Sequence, residues 1–327
     1  MTAPACTALC NICGGREHRF LWKGKDRFYH LEGSFNLFRC EGCGLIFVHP
    51  FLSDEALAKY YPQNYYSYEA AAPAGSGAAR NGSKTAYYLR HPFKAANAIV
   101  YSKLLKQNAR VSLPAGSEVL EIGCGDGAFL IGMRQQGCRV WGVDISEAAL
   151  GRLKKAAPDT TAYCGNVWNA GFPAKHFDLI HLSHVVEHVP DIRSLAAELV
   201  RILKPGGQVS VQVPNSASLT PKLFGPIWIH QDTPRHVCVF SRKNLARFFQ
   251  DKGLHVLKSR TLENSFSILG SFVYLWNEMT GAKLRIDRTQ KFWDSEILKL
   301  LLAPYCVLVN AFGIGDTMEF ILTRQEA

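Results

Sequence analysis

The chain has no long apolar run, no internal repeat at solenoid spacing and no block of basic residues, although its formal net charge is +10. Its basic runs stop at dipeptides such as Lys154-Lys155 and Arg242-Lys243. The charge therefore reads as a solvated surface, and nucleic acid is disfavoured as a partner. The first ten residues, Met1 to Cys10, lack the basic and apolar blocks of a secretory leader, which points to a cytoplasmic protein. The most apolar helical stretch, Ile297 to Phe312, is short and interrupted by Lys299, Pro304 and Asn310. That excludes a membrane span and leaves peripheral membrane contact as the alternative to packing over an acceptor pocket. A composition of 47% apolar and 20% charged residues describes a soluble globular chain, and 327 residues suffice for one large domain or two.

Ten cysteines in a cytoplasmic chain suggest thiols and metal rather than disulfides. Four of them stand in two Cys-x-x-Cys-Gly turns, Cys10-Asn-Ile-Cys13-Gly14 and Cys40-Glu-Gly-Cys43-Gly44. Zinc takes four soft ligands in a tetrahedron, and each turn offers two, so the pattern predicts a closed, structural zinc site. Strand-like pieces (35–39, 45–48) accompany the turns, and Ser53 to Tyr61 reads as a short capped helix. A tyrosine-rich stretch and then an Ala/Gly/Pro/Ser-rich segment, about 70–84, read as a packing cluster and a linker.

The chain is organised around Val119-Leu-Glu-Ile-Gly-Cys-Gly-Asp-Gly-Ala-Phe-Leu130. A buried strand ends at Ile122, Gly123, Gly125 and Gly127 follow at alternate positions, and a helix begins at Ala128. Glycine tolerates positive φ and lets backbone approach a ligand. The dinucleotide fingerprint needs a third glycine that falls at Leu130 in one frame and at Ala128, a permitted variant, in the other. Glu121 precedes the turn, and a second strand, Arg139 to Val143, ends in Asp144 about 20 residues on, where ribose hydroxyls are gripped. Glu121 suits a cationic amino-acid cofactor better than a pyrophosphate.

In these residues the chain resembles the class I S-adenosylmethionine (SAM)-dependent methyltransferases. The likeness continues through a third strand (161–164), a fourth (177–183) and Leu203-Lys-Pro-Gly-Gly207 before strand 208–213. It implies a doubly wound α/β sheet of seven strands, with the last two, about 254–261 and 318–323, antiparallel. It also implies SAM contacts at Glu121, Gly123, Gly125, Gly127, Asp144, Ile145, Asn166 and Val167. Asn166 departs from the usual acidic residue, although its side-chain carbonyl accepts the same bond from an adenine amino group. The expected organisation is a zinc-knuckle domain (1–69), a linker (70–84) and a methyltransferase domain (85–327). Within that domain a helix from Thr85 should break at Pro92, an aromatic cover should span 215–239, and a helical insertion should span 265–314.

His184-Val-Val-Glu187-His188 follows the fourth strand; begun helically, it would gather two imidazoles and a carboxylate on one face. A base near neutral pKa assists attack by a hydroxyl, and His236 downstream could join it. Ubiquinone-pathway and small-RNA O-methyltransferases look similar here and hold a divalent metal with Glu-x-x-Glu-His. His184 replaces the first Glu, so a catalytic metal stands as the second reading. The leading expectation is methyl transfer to a small-molecule hydroxyl on a sugar, lipid-linked or secondary-metabolite acceptor. The alternatives are an RNA methyltransferase, a sugar C-methyltransferase and a non-catalytic SAM-binding or interaction module. The loop typical of base N-methylation is absent after the fourth strand.

Overall fold

A computed structural model of the chain describes residues 4–62, 92–100, 113–263, 265–286 and 295–324. An antiparallel sheet contains β1 (His18–Gly24), β2 (Phe35–Cys40), β3 (Ile46–Val48) and, from far along the chain, β9 (Cys238–Val239). The larger sheet contains β4 (Glu118–Ile122), β5 (Arg139–Asp144), β6 (Thr161–Cys164), β7 (Phe177–Ser183), β8 (Leu203–Pro214), β10 (Leu254–Leu262) and β11 (Thr317–Arg324). Its order is β10-β11-β8-β7-β4-β5-β6, with β4 to β8 parallel and β11 antiparallel to both neighbours. The expected doubly wound α/β sheet of seven strands is thus present.

The helices are α1 (Asp54–Ala58), α2 (Pro92–Ile99), α3 (Ala128–Gln135), α4 (Glu147–Ala156), α5 (Ile192–Ile202), α6 (Leu219–Phe224), α7 (Arg242–Asp251), α8 (Ser265–Thr280) and α9 (Glu296–Ala311). β4 is buried along its whole length because both faces are covered. Leu120 and Ile122 join a core shared with Leu195 and Leu199 of α5 and Phe248 of α7, whereas Val119 meets Leu130 of α3 and Leu153 of α4. Such a strand needs apolar residues at successive positions, which explains its continuous rather than alternating pattern. Cys10, Phe38 and Phe47 of the N-terminal region join the first core, so the small sheet packs onto the same body.

Several helix starts follow local chemistry. Ser146 Oγ accepts from Ala149 N at 3.2 Å, and Asp191 Oδ1 from Ser194 N at 3.0 Å. Ser241 and Asn244 cap α7 reciprocally. Pro92 is the first described residue of α2, so the expected break there falls at the edge of the described residues. Residues 85–91 and 101–109 of the expected helix lie outside the described residues, as do the 70–84 linker and the tyrosines after Pro62. The Lys204-Pro-Gly-Gly207 turn is absorbed into β8. Gly206 takes φ 72°, and the register against β7 steps between Phe177 and Leu179.

The glycine turn binds β4 to its helices. Gly123, Gly125 and Gly127 have φ of 71°, 51° and 76°. A Cβ on Gly127 would collide with Leu153 Cδ1 of α4, and one on Gly123 with Val185 Cγ2. Gly127→Ala combines left-handed backbone with overpacking, so it should destabilise by about 1–3 kcal/mol. Urea unfolding should show a lowered midpoint with an unchanged slope, and adding Leu153→Ala should not restore it fully, because the backbone strain persists.

Candidate active site

Three groups of side chains converge at or beside the carboxyl edge of the parallel strands. The first is the cysteine quartet. Gly14 and Gly44, at φ 73° and 77°, fold each Cys-x-x-Cys back so that Gly14 N donates to Cys10 O and Gly44 N to Cys40 O. Cys10 Sγ lies 3.6 Å from Cys43 Sγ, Cys13 Sγ lies 3.5 Å from Cys40 Sγ, and all four sulfurs fall within 4.8 Å of one another. A tetrahedron with Zn–S near 2.3 Å has sulfurs about 3.8 Å apart. The quartet fits a zinc knuckle. Contact with Cys43 lowers the Cys10 thiol to about 5 against the opposing effect of burial, so one sulfur of the set already favours the thiolate that zinc requires.

The second group is the glycine crevice between β4 and β5. Asp144 closes it. Its Oδ2 accepts from Gly125 N and its Oδ1 from Ser146 N, both at 2.9 Å, which locks the turn to the end of β5. Burial nevertheless raises the Asp144 carboxyl. Glu121 is buried, and among the described residues its Oε2 has no hydrogen-bond partner. Burial first, then Asp126 and Asp144, push its carboxyl well above the usual carboxylate range. A carboxylate set short of positive charge is the environment that a sulfonium or ammonium group would relieve, so these residues fit SAM. Ile145 is exposed, Asn166 is half-buried before a 3-10 turn, and Val167 is buried at its start. Gly165 N donates to Asp144 O at 2.9 Å, which brings the ends of β5 and β6 together at this edge.

The third group follows β7. The expected helical start does not form. His184 N still bonds to Gln212 O at 2.9 Å, as a strand residue would, and only Val186–His188 makes a 3-10 turn. His184 takes φ 53°, costly for a residue with a Cβ and a mark of sites where geometry outweighs strain. Its Nδ1 donates to Glu187 Oε1 at 3.0 Å, so in the neutral ring the lone pair is on Nε2, on a side chain that is 37% exposed. Glu187 is fully buried. Burial raises its carboxyl, but the His184 hydrogen bond and the charges of His184, His236 and His188 outweigh that and hold it at about 2.

His188 and His236 share a second geometry. His188 Nδ1 lies 3.0 Å from Arg235 O and 2.8 Å from Tyr61 Oη, while His236 Nδ1 lies 2.7 Å from His230 O. A carbonyl only accepts, so both Nδ1 atoms carry protons, and in the neutral ring each Nε2 holds the lone pair. Ligand atoms of Glu187, His188 and His236 lie within 4.8 Å of one another, and Glu187 Oε2 has no hydrogen-bond partner among the described residues. Burial and the neighbouring His236 lower His188 to about 4.

The structure thus brings His184, Glu187, His188 and His236 into one cluster, and Val185, inside the same loop, packs over Gly123 of the crevice. Sequence reasoning missed Tyr61 and the Arg235 network, and reached His230 only as the start of the His230-to-His236 segment. Arg235, fully buried, donates to Asp26 Oδ1 and to Asp232 Oδ1, each at 2.6 Å. The Asp232-x-x-Arg235-His236 spacing carried a hint of the second pair. Asp26 carried none. His230, the expected region's other imidazole, bonds Ser267 Oγ at 2.9 Å and stacks toward His184 at 6.2 Å between ring centroids.

Residues 93–259, just over half of the chain, match the family described as "Methyltransferase domain", and the chain belongs to that family. It is 33% identical over 151 residues to a ubiquinone biosynthesis O-methyltransferase of Aromatoleum aromaticum, covering 43% of this chain and 64% of that protein. It is 28% identical over 142 residues to a probable S-adenosylmethionine-dependent methyltransferase of Mycolicibacterium smegmatis, covering 43% of this chain and 53% of that one. The matches therefore span between half and two thirds of these relatives' own length. Among solved structures, a chain of the complex between the Haloferax volcanii Trm112 methyltransferase activator and a putative methyltransferase is similar at 18% identity. That match has a TM-score of 0.48 and covers 74% of this chain and 97% of that one. An S-adenosylmethionine-dependent methyltransferase from Mesorhizobium loti is similar at 16% identity with a TM-score of 0.46, covering 69% of this chain and 98% of that one. Among the described residues, no helix is long and apolar enough to cross a membrane.

Two predictions follow from this geometry. Asp144→Asn keeps the side chain's size but loses its charge and one of its two accepting oxygens, and calorimetry should show SAM affinity falling at least about tenfold, the scale of a charge-assisted hydrogen bond. Stability should also fall in acid. Burial holds His181 at about 4 and His230 at about 3, below the ordinary imidazole value of 6.5. Below pH 6.5 the unfolded chain takes up protons that the folded chain refuses, so stability present above 6.5 is lost toward pH 4 and then 3. Glu187, depressed to about 2 from 4.5, adds stability that is present above pH 4.5 and lost between 4.5 and 2. Urea midpoints measured from pH 7 to 4 should decline, and His181→Gln should flatten the upper part of that decline.

Proposed function

We propose that the chain is a SAM-dependent methyltransferase that methylates a hydroxyl oxygen on a small-molecule acceptor of the sugar, lipid-linked or secondary-metabolite class. The observation that carries this reading is the His184–Glu187 pair at the end of β7, next to the crevice that fits SAM. The name of the Aromatoleum aromaticum relative, an O-methyltransferase, supports oxygen as the acceptor atom.

Bound SAM would supply a methyl group activated by its sulfonium, held by Glu121, the Gly123–Gly127 turn, Asp144 and the Asn166–Val167 edge. The rest is the work of this chain. His184 presents Nε2 to the acceptor hydroxyl and takes its proton. Glu187 Oε1 fixes the tautomer that makes this possible and stabilises the imidazolium that results. Closure over the acceptor would fall to the 215–239 cover, whose Trp228 and Ile229 are buried against α8. Such a base contributes roughly 10²–10⁴-fold.

A second reading rests on Glu187 Oε2, which has no hydrogen-bond partner among the described residues, and on the Nε2 atoms of His188 and His236, the latter 4.0 Å from Asp232 Oδ2. Both imidazoles donate their other nitrogen to a backbone carbonyl, the arrangement that orients metal-ligating histidines. These residues would hold a divalent cation, which would lower the pKa of a coordinated acceptor hydroxyl.

The test is incubation of metabolite extracts with the protein and deuteromethyl-SAM, followed by mass spectrometry. A labelled O-methyl product is expected. His184→Gln should reduce its rate by about 10²-fold or more, with SAM affinity within a few-fold of wild type. Label on nitrogen or carbon, or full activity in His184→Gln, would sink the base assignment. Loss of activity in chelator, restored by Mn2+, would establish the cation beside it.

A further inference from the structure

The histidine cluster is not held by the methyltransferase sheet alone. Tyr61, just beyond α1, reaches His188 Nδ1. Asp26, just beyond β1, takes Arg235 in a two-pronged ion pair, with Oδ1 at 2.6 Å and Oδ2 at 3.2 Å, and Arg235 also donates to Tyr60 O at 3.0 Å. Both members of the Asp26–Arg235 pair have side chains with 0% exposure. A guanidinium with no access to water is confined to the place where its carboxylates are, so Asp26 and Asp232 together dictate the path of residues 232–236. Farther on, the same segment enters the small sheet: Val48 N donates to Val237 O at 3.0 Å, and β9 pairs with β3. The first cysteine turn touches the other side of the cluster. Asn11 Nδ2 donates to Pro190 O at 2.6 Å, two residues past His188, and Arg193 Nε donates to Asn11 O at 2.8 Å.

We propose that the four-cysteine module is the positioning scaffold of the histidine cluster, with Tyr61 setting His188 directly and Asp26, through Arg235, setting His236. The inference deepens the proposed function and rests on the cluster being the reacting site. It assigns the module a task other than gripping nucleic acid. Tyr61 and Asp26 are positioning residues. Neither belongs to the SAM crevice, so the cofactor should bind without them. Glu187 needs both imidazoles around it, so turnover should not survive their displacement.

The experiment compares full-length, zinc-supplemented wild type with Tyr61→Phe and Asp26→Asn by hydrogen–deuterium exchange, SAM calorimetry and transfer from deuteromethyl-SAM. In Asp26→Asn, exchange should rise at least about tenfold across 228–240 and stay unchanged across 118–165. In Tyr61→Phe, which keeps the ring and its packing, the rise should be confined to 184–190. SAM affinity should stay within twofold in both, and kcat should fall by about 10–100-fold, the scale of losing a partner that orients a functional histidine, with KM for SAM unchanged. Unchanged exchange at 228–240 and 184–190, or an equal rise along the whole chain, overturns the proposal. Should Asp26→Asn fail to fold, Tyr61→Phe decides it alone by the same readings. If exchange responds as expected while transfer is untouched, the scaffold stands and the histidine cluster is not the reacting site.

Discussion

A single arginine with no access to water sits between two carboxylates supplied by segments more than 200 residues apart, and the shape of the candidate site follows from it. Arg235 cannot stay buried unless Asp26 and Asp232 both meet it. Once they do, its backbone carbonyl faces His188, and the next residue, His236, lies edge-on to that ring at 4.7 Å between centroids. The rings of Phe28 and Tyr29, 5.8 and 5.2 Å from the guanidinium carbon, cover the charge and keep water from competing for it.

Around that fixed point the site divides between two oxygens of one residue. Glu187 Oε1 belongs to His184, Oε2 has no hydrogen-bond partner among the described residues, and a carboxylate oxygen of Glu187 lies within 4.8 Å of ligand atoms of His188 and His236. A carboxylate so deeply buried keeps its charge because the His184 hydrogen bond and the neighbouring imidazoles outweigh its burial, although burial lowers His188 itself to about 4. A proton taken off an acceptor, or a cation, would add positive charge beside that carboxylate. In the SAM crevice, burial and the nearby Asp126 and Asp144 push Glu121 up. The close approach of Val185 to Gly123 joins the loop that carries His184 and Glu187 to the turn that follows Glu121, so in the proposed reaction a base and a methyl donor would be neighbours.

Much of this was readable before the fold was known, and the division has a physical cause. The glycine turn, the cysteine quartet and the strands that alternate with helices are local patterns, enforced by φ, by ligand spacing and by burial on one face or two. The Asp26–Arg235 pair, the Tyr61–His188 contact and the two-residue β9 join positions far apart, and nothing in their immediate neighbours announces a partner. The loop after β7 misled for a different reason. Its i, i+3, i+4 spacing suits a helix, but His184 N remains committed to Gln212 O, so helical turning is delayed to Val186 and Glu187 reaches His184 from a tighter coil.

The lateness of β9 bears on how the chain is made. During synthesis β1, β2 and β3 emerge first, and β3 stays an open edge until residues 238–239 arrive to close it. Unpaired edges invite wrong pairing between nascent copies, and Asp26 meanwhile has no arginine to neutralise it. An N-terminal fragment that stops short of Arg235 would therefore be a poor soluble module, and closure of the small sheet would coincide with arrival of the histidines that complete the cluster.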